Sequence, residues 1–128
     1  MNGNADRFLI DTNIIIYLSQ KKLKLSDFAR NESNLYLSSI TYIEALGYPF
    51  QSRDEEKEVA ELCETFERLL LTEDIEKQTI HIRKSKKIKL PDAIIAATAI
   101  VHNLTLVTRN DDDFKNIPDL KIVNPFNN

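Results

Sequence analysis

A long apolar run in the last third of the chain limits the possible folds more than any other feature. Residues 91–102 read PDAIIAATAIVH, and after Asp92 almost every side chain is apolar or small. A helix with no polar face has to be buried on nearly all sides. Pro91 suits the first turn of a helix. The sequence therefore predicts a core helix that begins with a single carboxylate, Asp92.

Strands and helices are predicted to alternate around this helix. Thr12 and Ser39 are the expected N-caps of the first two helices, and Gly47 and Pro49 end the second one. The alternation indicates parallel βαβ units in an α/β sandwich, and the length fits a single domain over residues 1–128 with loose tails at 1–5 and 124–128. The predicted strands are 7–11, 34–39, 104–108 and 120–124, and the predicted helices are 12–20, 40–48, 54–71, 75–87 and the apolar helix from Pro91.

Composition narrows the class of protein. The formal net charge of −3 gives no overall nucleic-acid signature, although residues 77–90 carry six Lys or Arg and no acid. That segment is either a solvated helical face or a binding stripe. The single cysteine, Cys63, excludes an intrachain disulfide and favours a reducing compartment, so we expect a cytoplasmic protein without a membrane segment. With two glycines in the chain, a P-loop or dinucleotide-binding enzyme is disfavoured.

Acidic residues recur where the predicted elements meet. Asp11 ends the first strand, Glu44 lies in the helix after the second strand, and residues 111–113 (DDD) follow the strand at 104–108. In an open parallel sheet, the carboxyl ends of the strands share one edge. We therefore expect these acids and Asp92 to meet at that edge.

Each acid also has an ordinary explanation when it is taken alone. Asp92 could complement its helix dipole, Asp11 could stabilise a turn, and Glu44 could lie on an exposed stripe. Together, however, like charges that converge repel one another unless a cation neutralises them. Oxygen ligands favour Mg²⁺ or Mn²⁺ over Zn²⁺, and such a site suits hydrolysis of phosphodiester bonds.

Two other classes of function remain open at this point. The acidic pocket could belong to a binding protein that docks a basic peptide without turnover. It could also belong to a phosphoryl-transfer enzyme with Asp11 as the nucleophile. The second idea is weakened because Asn13 stands where the haloacid-dehalogenase pattern expects a second aspartate.

A family resemblance rests on four segments: FLIDTNIIIYL, LSSITYIEALGY, LPDAIIAATAIVHNLTLVTRNDDDF and LKIVNPF. Together they resemble the PIN-domain family, and within it the VapC-type toxin ribonucleases of toxin–antitoxin modules. The resemblance covers nearly the whole chain in the right order, and its specific part is LPDAIIAATA followed by LVTRN…DF. It implies an α/β/α sandwich with a short central parallel sheet and Mg²⁺-dependent cleavage of RNA. It also implies a homodimer that is silenced by a small antitoxin with a basic tail.

The resemblance also assigns roles to single residues. The family's acids match Asp11, Glu44 and Asp92. At the fourth position many relatives carry an aspartate where this chain has Asn110. The variant pattern T-R-N-x-x-D-F matches Asp113, and Asp111 is the alternative. The supporting residues are Asn110, as a neutral ligand or water positioner, and Thr108, which would orient an acid; the RNA-binding candidates are Arg109, Lys86, Lys87 and Lys89.

Apolar side chains in two helices are candidates for partner contacts. Residues 14–17 (IIIY) point all round the first helix, so one or two of them should face outward unless another element covers them. Tyr42 and Tyr48 are further candidates. The alternative is burial of residues 14–17 against the helix predicted at 54–71.

Overall fold

The computed structural model describes residues 6–127 and contains one sheet in which all paired strands are parallel. The strands are β1 (Arg7–Ile10), β2 (Asn34–Ser38), β3 (Glu67–Leu69), β4 (Thr105–Val107) and β5 (Lys121–Val123). Their order in the sheet is β3-β2-β1-β4-β5, with β1 at the centre, Phe8 beside Leu35 and Leu9 beside Leu106. The predicted parallel sheet is confirmed.

Helices cover both faces of the sheet, which confirms the α/β/α sandwich. The helices are α1 (Thr12–Ser19), α2 (Ser39–Leu46), α3 (Arg53–Thr65), α4 (Glu73–Ser85) and α5 (Leu90–Val101). In β1, Phe8 and Ile10 point to the core beneath α1 and α3, while Leu9 points to the core beneath α4 and α5. The α2 helix contacts α1, α3 and α5.

The apolar run forms α5, as predicted, and it lies deep in the core. Four alanines of α5 are fully buried, and they pack against Ile75 and Ile82 of α4 and Leu9 and Leu106 of the sheet. Small side chains let the helix axis approach its neighbours closely. The start of α5, with Asp92, is thereby held rigidly at the sheet edge. The alanines are Ala93, Ala96, Ala97 and Ala99.

The helix predicted at 54–71 is wrong in its last six residues, 66–71. The α3 helix ends at Thr65, and the chain then forms the edge strand β3, which pairs with β2. Phe66 adopts an extended backbone (φ −102°, ψ 149°) and is buried, whereas Leu70 is 65% exposed. Their helical spacing to Val59 is therefore coincidental.

The predicted caps are each one residue too late. Asp11, not Thr12, caps α1, and Ser38, not Ser39, caps α2 by accepting from the Ile40 N–H at 2.9 Å. The cap of α1 is thus one of the acids that we assigned to the site.

The tail predicted at the C-terminus is ordered where it is described. Asn124 hydrogen-bonds to Arg109 and Asp111, and Phe126 packs edge-on against Tyr17 with ring centroids 5.0 Å apart. The predicted loose residues 1–5 and 128 lie outside the described residues. Within 6–127, no helix is long and apolar enough to cross a membrane.

Candidate active site

Asp11 lies where β1 passes into α1 and is only 4% exposed. Its Oδ1 accepts the Thr12 backbone N–H at 2.8 Å, and its Oδ2 accepts Asn13 Nδ2 at 3.0 Å and the Thr108 hydroxyl at 2.7 Å. Burial is the main reason why the pKa of Asp11 is raised, and these bonds oppose that rise. The nearby Glu44 charge raises the pKa further. The protein thus fixes this carboxylate in position despite the electrostatic cost.

Glu44 reaches the same edge from α2. Its Oε1 accepts the Thr12 hydroxyl at 2.7 Å, and the Thr12 hydroxyl lies 3.3 Å from that of Thr41. Thr12 donates its backbone N–H to Asp11 and its hydroxyl to Glu44, so this one residue at the start of α1 positions both acids. The Glu44 side chain is exposed, which leaves its other carboxylate oxygen open to solvent.

Asp92 carries the clearest electrostatic signature of the cluster. Its pKa is raised from 3.8 to about 6, first by burial at the start of α5. The next causes are the negative charges of Asp11, Asp113 and Glu44, in that order. Lys89 lowers the pKa, but its effect is smaller. Three acids from three other segments therefore act on Asp92, as expected for the shared edge of a parallel sheet.

The three acids that follow β4 have different surroundings. Asp111 accepts hydrogen bonds from Asn124 at 3.3 Å and Asn127 at 3.5 Å, and Asp112 pairs with Lys115 at 3.4 Å. Asp113 has no such partner among residues 6–127, and its charge acts on Asp92. The structure thus brings Asp113 toward the other acids, while Asp111 is tied to the C-terminal segment.

Thr108 and Asn110 support this edge. The fully buried Thr108 hydroxyl donates to Asp11 and accepts the Asn110 backbone N–H at 3.0 Å. The Asn110 carbonyl in turn accepts the Asp113 N–H at 3.0 Å. The loop after β4 is therefore bonded back to the carboxylate that ends β1.

The four predicted RNA-binding cations lie in three places. Lys86 and Lys87 line a cavity of about 250 Å³ together with Asp112, Asp113 and others. Lys89 immediately precedes α5, close enough to affect the pKa of Asp92. Arg109 follows Thr108, and its guanidinium lies over the rings of Tyr17 and Phe126.

The donor set fits a hard divalent cation because every candidate ligand atom is oxygen. Within residues 6–127, no three acids, histidines or cysteines meet closely enough to enclose a metal ion by themselves. Mg²⁺ is commonly held through one or two carboxylates while it keeps several waters. The arrangement therefore suits a partly hydrated Mg²⁺ rather than a closed cage of protein ligands.

Two supporting side chains were not predicted from the sequence. Asn13 donates to Asp11 and accepts the Arg109 N–H at 3.1 Å, and Thr12 holds Glu44. The signal for both was the D-T-N sequence at 11–13, in which polar residues interrupt an apolar run. Of the expected surface residues, Ile14 and Ile15 are fully buried and Tyr48 is 52% exposed.

Comparison with known proteins identifies the family. The PIN domain model matches residues 8–120. A ribonuclease VapC from Rickettsia bellii is 30% identical over 128 residues, covering 90% of this chain and 93% of that protein. A ribonuclease VapC1 from Haemophilus influenzae strain R2866 is 30% identical over 127 residues, covering 89% of this chain and 94% of that protein.

Solved structures give the same result. A chain of a toxin–antitoxin complex from Klebsiella pneumoniae is 33% identical, with a TM-score of 0.73, and covers 92% of this chain and 97% of its own. A chain of DNA-bound VapBC from Salmonella typhimurium is 27% identical, with a TM-score of 0.78, and covers 93% of this chain and 98% of its own. Since the family model matches most of the chain and the VapC relatives cover about nine-tenths of it, the chain belongs to the PIN-domain family and is VapC-like within it.

Proposed function

We propose that this protein is a Mg²⁺-dependent endoribonuclease, with Mn²⁺ as a substitute ion, and the toxin of a toxin–antitoxin pair. The observation that carries the proposal is Asp92, whose pKa is raised to about 6 by burial and by three converging carboxylates. Such a cluster is unfavourable alone and becomes favourable when a cation binds. Relatives named ribonuclease VapC support RNA as the substrate.

Asp11 and Asp92 would be the principal ligands, either directly or through water, and Glu44 and Asp113 would complete the shell. When bound, the cation would supply positive charge that polarises the scissile phosphate. Asp11 is suited to this role because three donors fix its orientation.

The chain's own residues would then handle the proton and the RNA. Glu44 Oε1 is bonded to Thr12, so the other oxygen of Glu44 is available to take a proton from the attacking water. Asp113 is the second candidate for this step. Lys86, Lys87, Lys89 and Arg109 would bind RNA phosphates near the acids.

The antitoxin is proposed to use a surface beside α1. A cavity of about 280 Å³ lies between α1, the loop before α3 and α3, with Ile16, Tyr48, Phe50 and Val59 among its lining residues. The same cavity is also lined by Ser19, Gln20, Gln51 and Glu55. It therefore suits an amphipathic helix that presents polar side chains beside its apolar ones. A basic side chain that follows this helix would pair with the carboxylates and compete with the cation.

A homodimer is proposed through a different apolar surface. Ile43 and Leu71 are 62% and 49% exposed, and they line a cavity of about 150 Å³ with Ile40, Leu69 and Ile94 among others. Exposed apolar patches of this kind mark contact sites. Ile43→Glu should give a monomer in sedimentation analysis. Ile80→Glu on α4, where Ile80 is 56% exposed and outside this cavity, is the matched control.

The decisive experiment is an RNA-cleavage assay with Mg²⁺, with EDTA, and with Asp11→Asn. Cleavage that needs Mg²⁺ and Asp11 supports the proposal. Asp74→Asn is the control, because Asp74 is an exposed acid in the first turn of α4 and lies outside the cavity that Asp113, Lys86 and Lys87 line. If RNA stays intact while a basic peptide binds the acidic edge, the non-catalytic binding function replaces the nuclease.

A further inference from the structure

The side chain of Arg109 lies against two neighbouring aromatic rings beside the acidic edge. Its guanidinium carbon lies 4.4 Å from the centroid of the Phe126 ring and 5.1 Å from that of Tyr17. The two rings contact each other edge-on, with centroids 5.0 Å apart. Because Phe126 belongs to the C-terminal segment and Tyr17 to α1, the guanidinium closes a contact between distant parts of the chain.

The backbone of Arg109 is fixed from both sides as well. Its N–H donates to Asn13 Oδ1 at 3.1 Å, and its carbonyl accepts Asn124 Nδ2 at 3.1 Å. The Asn13 amide also donates to Asp11 Oδ2 at 3.0 Å. The Asn13 side chain thus connects the backbone of Arg109 to the carboxylate of Asp11.

The charge of Arg109 has no partner in the described part of the chain. Among residues 6–127, no carboxylate lies within 4.0 Å of its guanidinium, and the residue is exposed. An aromatic ring stacks on the flat face of a guanidinium, which leaves the N–H donors at the guanidinium edge free. Two of these donors can hydrogen-bond to two oxygens of one phosphate at the same time.

We propose that Arg109 binds a phosphate of the RNA strand that enters the acidic edge, and that Tyr17 and Phe126 are positioning residues for its guanidinium. This inference rests on the proposed ribonuclease function. A guanidinium that is already held in place loses less conformational freedom when it binds. A basic antitoxin tail is a poorer match because a second cation would repel it.

The test is the affinity for a short single-stranded RNA, measured in EDTA by fluorescence anisotropy. Arg109→Gln should weaken binding about tenfold and reduce the slope of log affinity against log salt by about 0.7. Arg53→Gln, which removes an equal charge from an exposed position on α3, should leave the slope unchanged. In cleavage assays with Mg²⁺, the defect of Arg109→Gln should appear as a higher KM.

The positioning role is tested by combining substitutions. Phe126→Leu should weaken RNA binding about threefold alone and not at all in the Arg109→Gln background, since residues that act through one contact are not additive. Tyr17→Leu takes the place of Phe126→Leu if the latter does not fold. An equal effect of the ring substitution in both backgrounds would overturn the positioning role.

Other outcomes separate this inference from the proposed function. If the wild type cleaves RNA and Arg109→Gln binds RNA as tightly as the wild type does, the inference is wrong and the ribonuclease stands. If Arg109→Gln loses affinity only for a basic peptide, Arg109 and its two aromatic neighbours belong to a protein-binding surface and the inference is overturned. If the wild type neither binds nor cleaves RNA, the proposed function fails and the inference fails with it.

Discussion

Asp11 and Asp92 both lie at the start of an apolar helix, yet their surroundings differ. Asp11 is 4% exposed and accepts hydrogen bonds from Thr12, Asn13 and Thr108. Asp92 is half-buried, and no hydrogen bond is among the causes that shift its pKa. Its pKa is set by burial and by the charges of neighbouring acids.

This difference indicates a division of labour at the site. The hydrogen bonds of Asp11 fix its orientation before any ligand arrives, as a preorganised site requires. Asp92 carries most of the unrelieved repulsion, so binding of a cation should change its environment most. Both acids are needed for the proposed chemistry, but they should respond differently to substitution, metal and pH.

The largest expected effect is on RNA cleavage. Asp11→Asn and Asp92→Asn should each lower the cleavage rate at least about 100-fold, because each removes a proposed ligand and the charge it supplies. The measurement is the initial rate on single-stranded RNA with Mg²⁺. Asp74→Asn, at an exposed acid of α4, should retain wild-type activity, and undiminished cleavage by either ligand variant would contradict the assigned site.

Binding of the cation should stabilise the folded protein. Mg²⁺ at about 100 times its Kd should add about 2.7 kcal/mol to the free energy of unfolding. The melting temperature of the wild type should therefore rise with Mg²⁺ concentration, while those of Asp11→Asn and Asp92→Asn should rise less. An equal rise in all three proteins would place the cation elsewhere.

Without metal, the two substitutions should change stability by different amounts. Asp92→Asn removes a repelling charge and should raise the free energy of unfolding at pH 7 by about 1 kcal/mol, a figure reduced for solvent screening. Asp11→Asn also relieves charge burial, but it leaves one buried donor facing an amide NH₂, which costs about 1–3 kcal/mol, so its free energy of unfolding should fall below that of Asp92→Asn. Urea unfolding in EDTA measures both, and equal free energies of unfolding for the two variants would contradict the division of labour.

The smallest expected effect is a pH dependence. Because the pKa of Asp92 in the folded state is about 6, above its ordinary value of 3.8, the folded protein binds more protons than the unfolded chain between these values. The contribution of Asp92 to stability should therefore be lost as pH rises from about 4 to 6. Unfolding of metal-free protein across this range should show the loss, and Asp92→Asn should reduce it.

Hydrophobic periodicity predicted most of the fold, but not the edge strand β3. Phe66 and Leu69 continue the helical spacing of Val59 and Cys63, and no Gly or Pro marks the end of α3. The strand has three residues, of which Glu67 and Arg68 are exposed, so it lacks the alternation of a half-buried strand. Pairing with β2 determines this segment, and pairing is not visible in local sequence.

The acids of the candidate site were predicted from parallel-sheet geometry and from the family resemblance, and the resemblance also assigned Thr108 to orient an acid. Which acid it orients was not predicted: its partner is Asp11, 97 positions away in sequence. The contact between Phe126 and Tyr17, which packs a tail predicted to be loose against α1, was not predicted either. Sequence patterns indicate which faces are apolar, but not which polar groups meet after packing.

The most direct measurement is the pKa of the Asp92 carboxyl group, followed by carbon-13 NMR in EDTA and again in saturating Mg²⁺. We expect a pKa of about 6 in EDTA and a clearly lower pKa with Mg²⁺, because the cation offsets the charges of Asp11, Glu44 and Asp113. Asp11→Asn should lower the pKa in EDTA as well. A pKa near 3.8 in EDTA, or one that Mg²⁺ leaves unchanged, would contradict a cation-binding acidic edge.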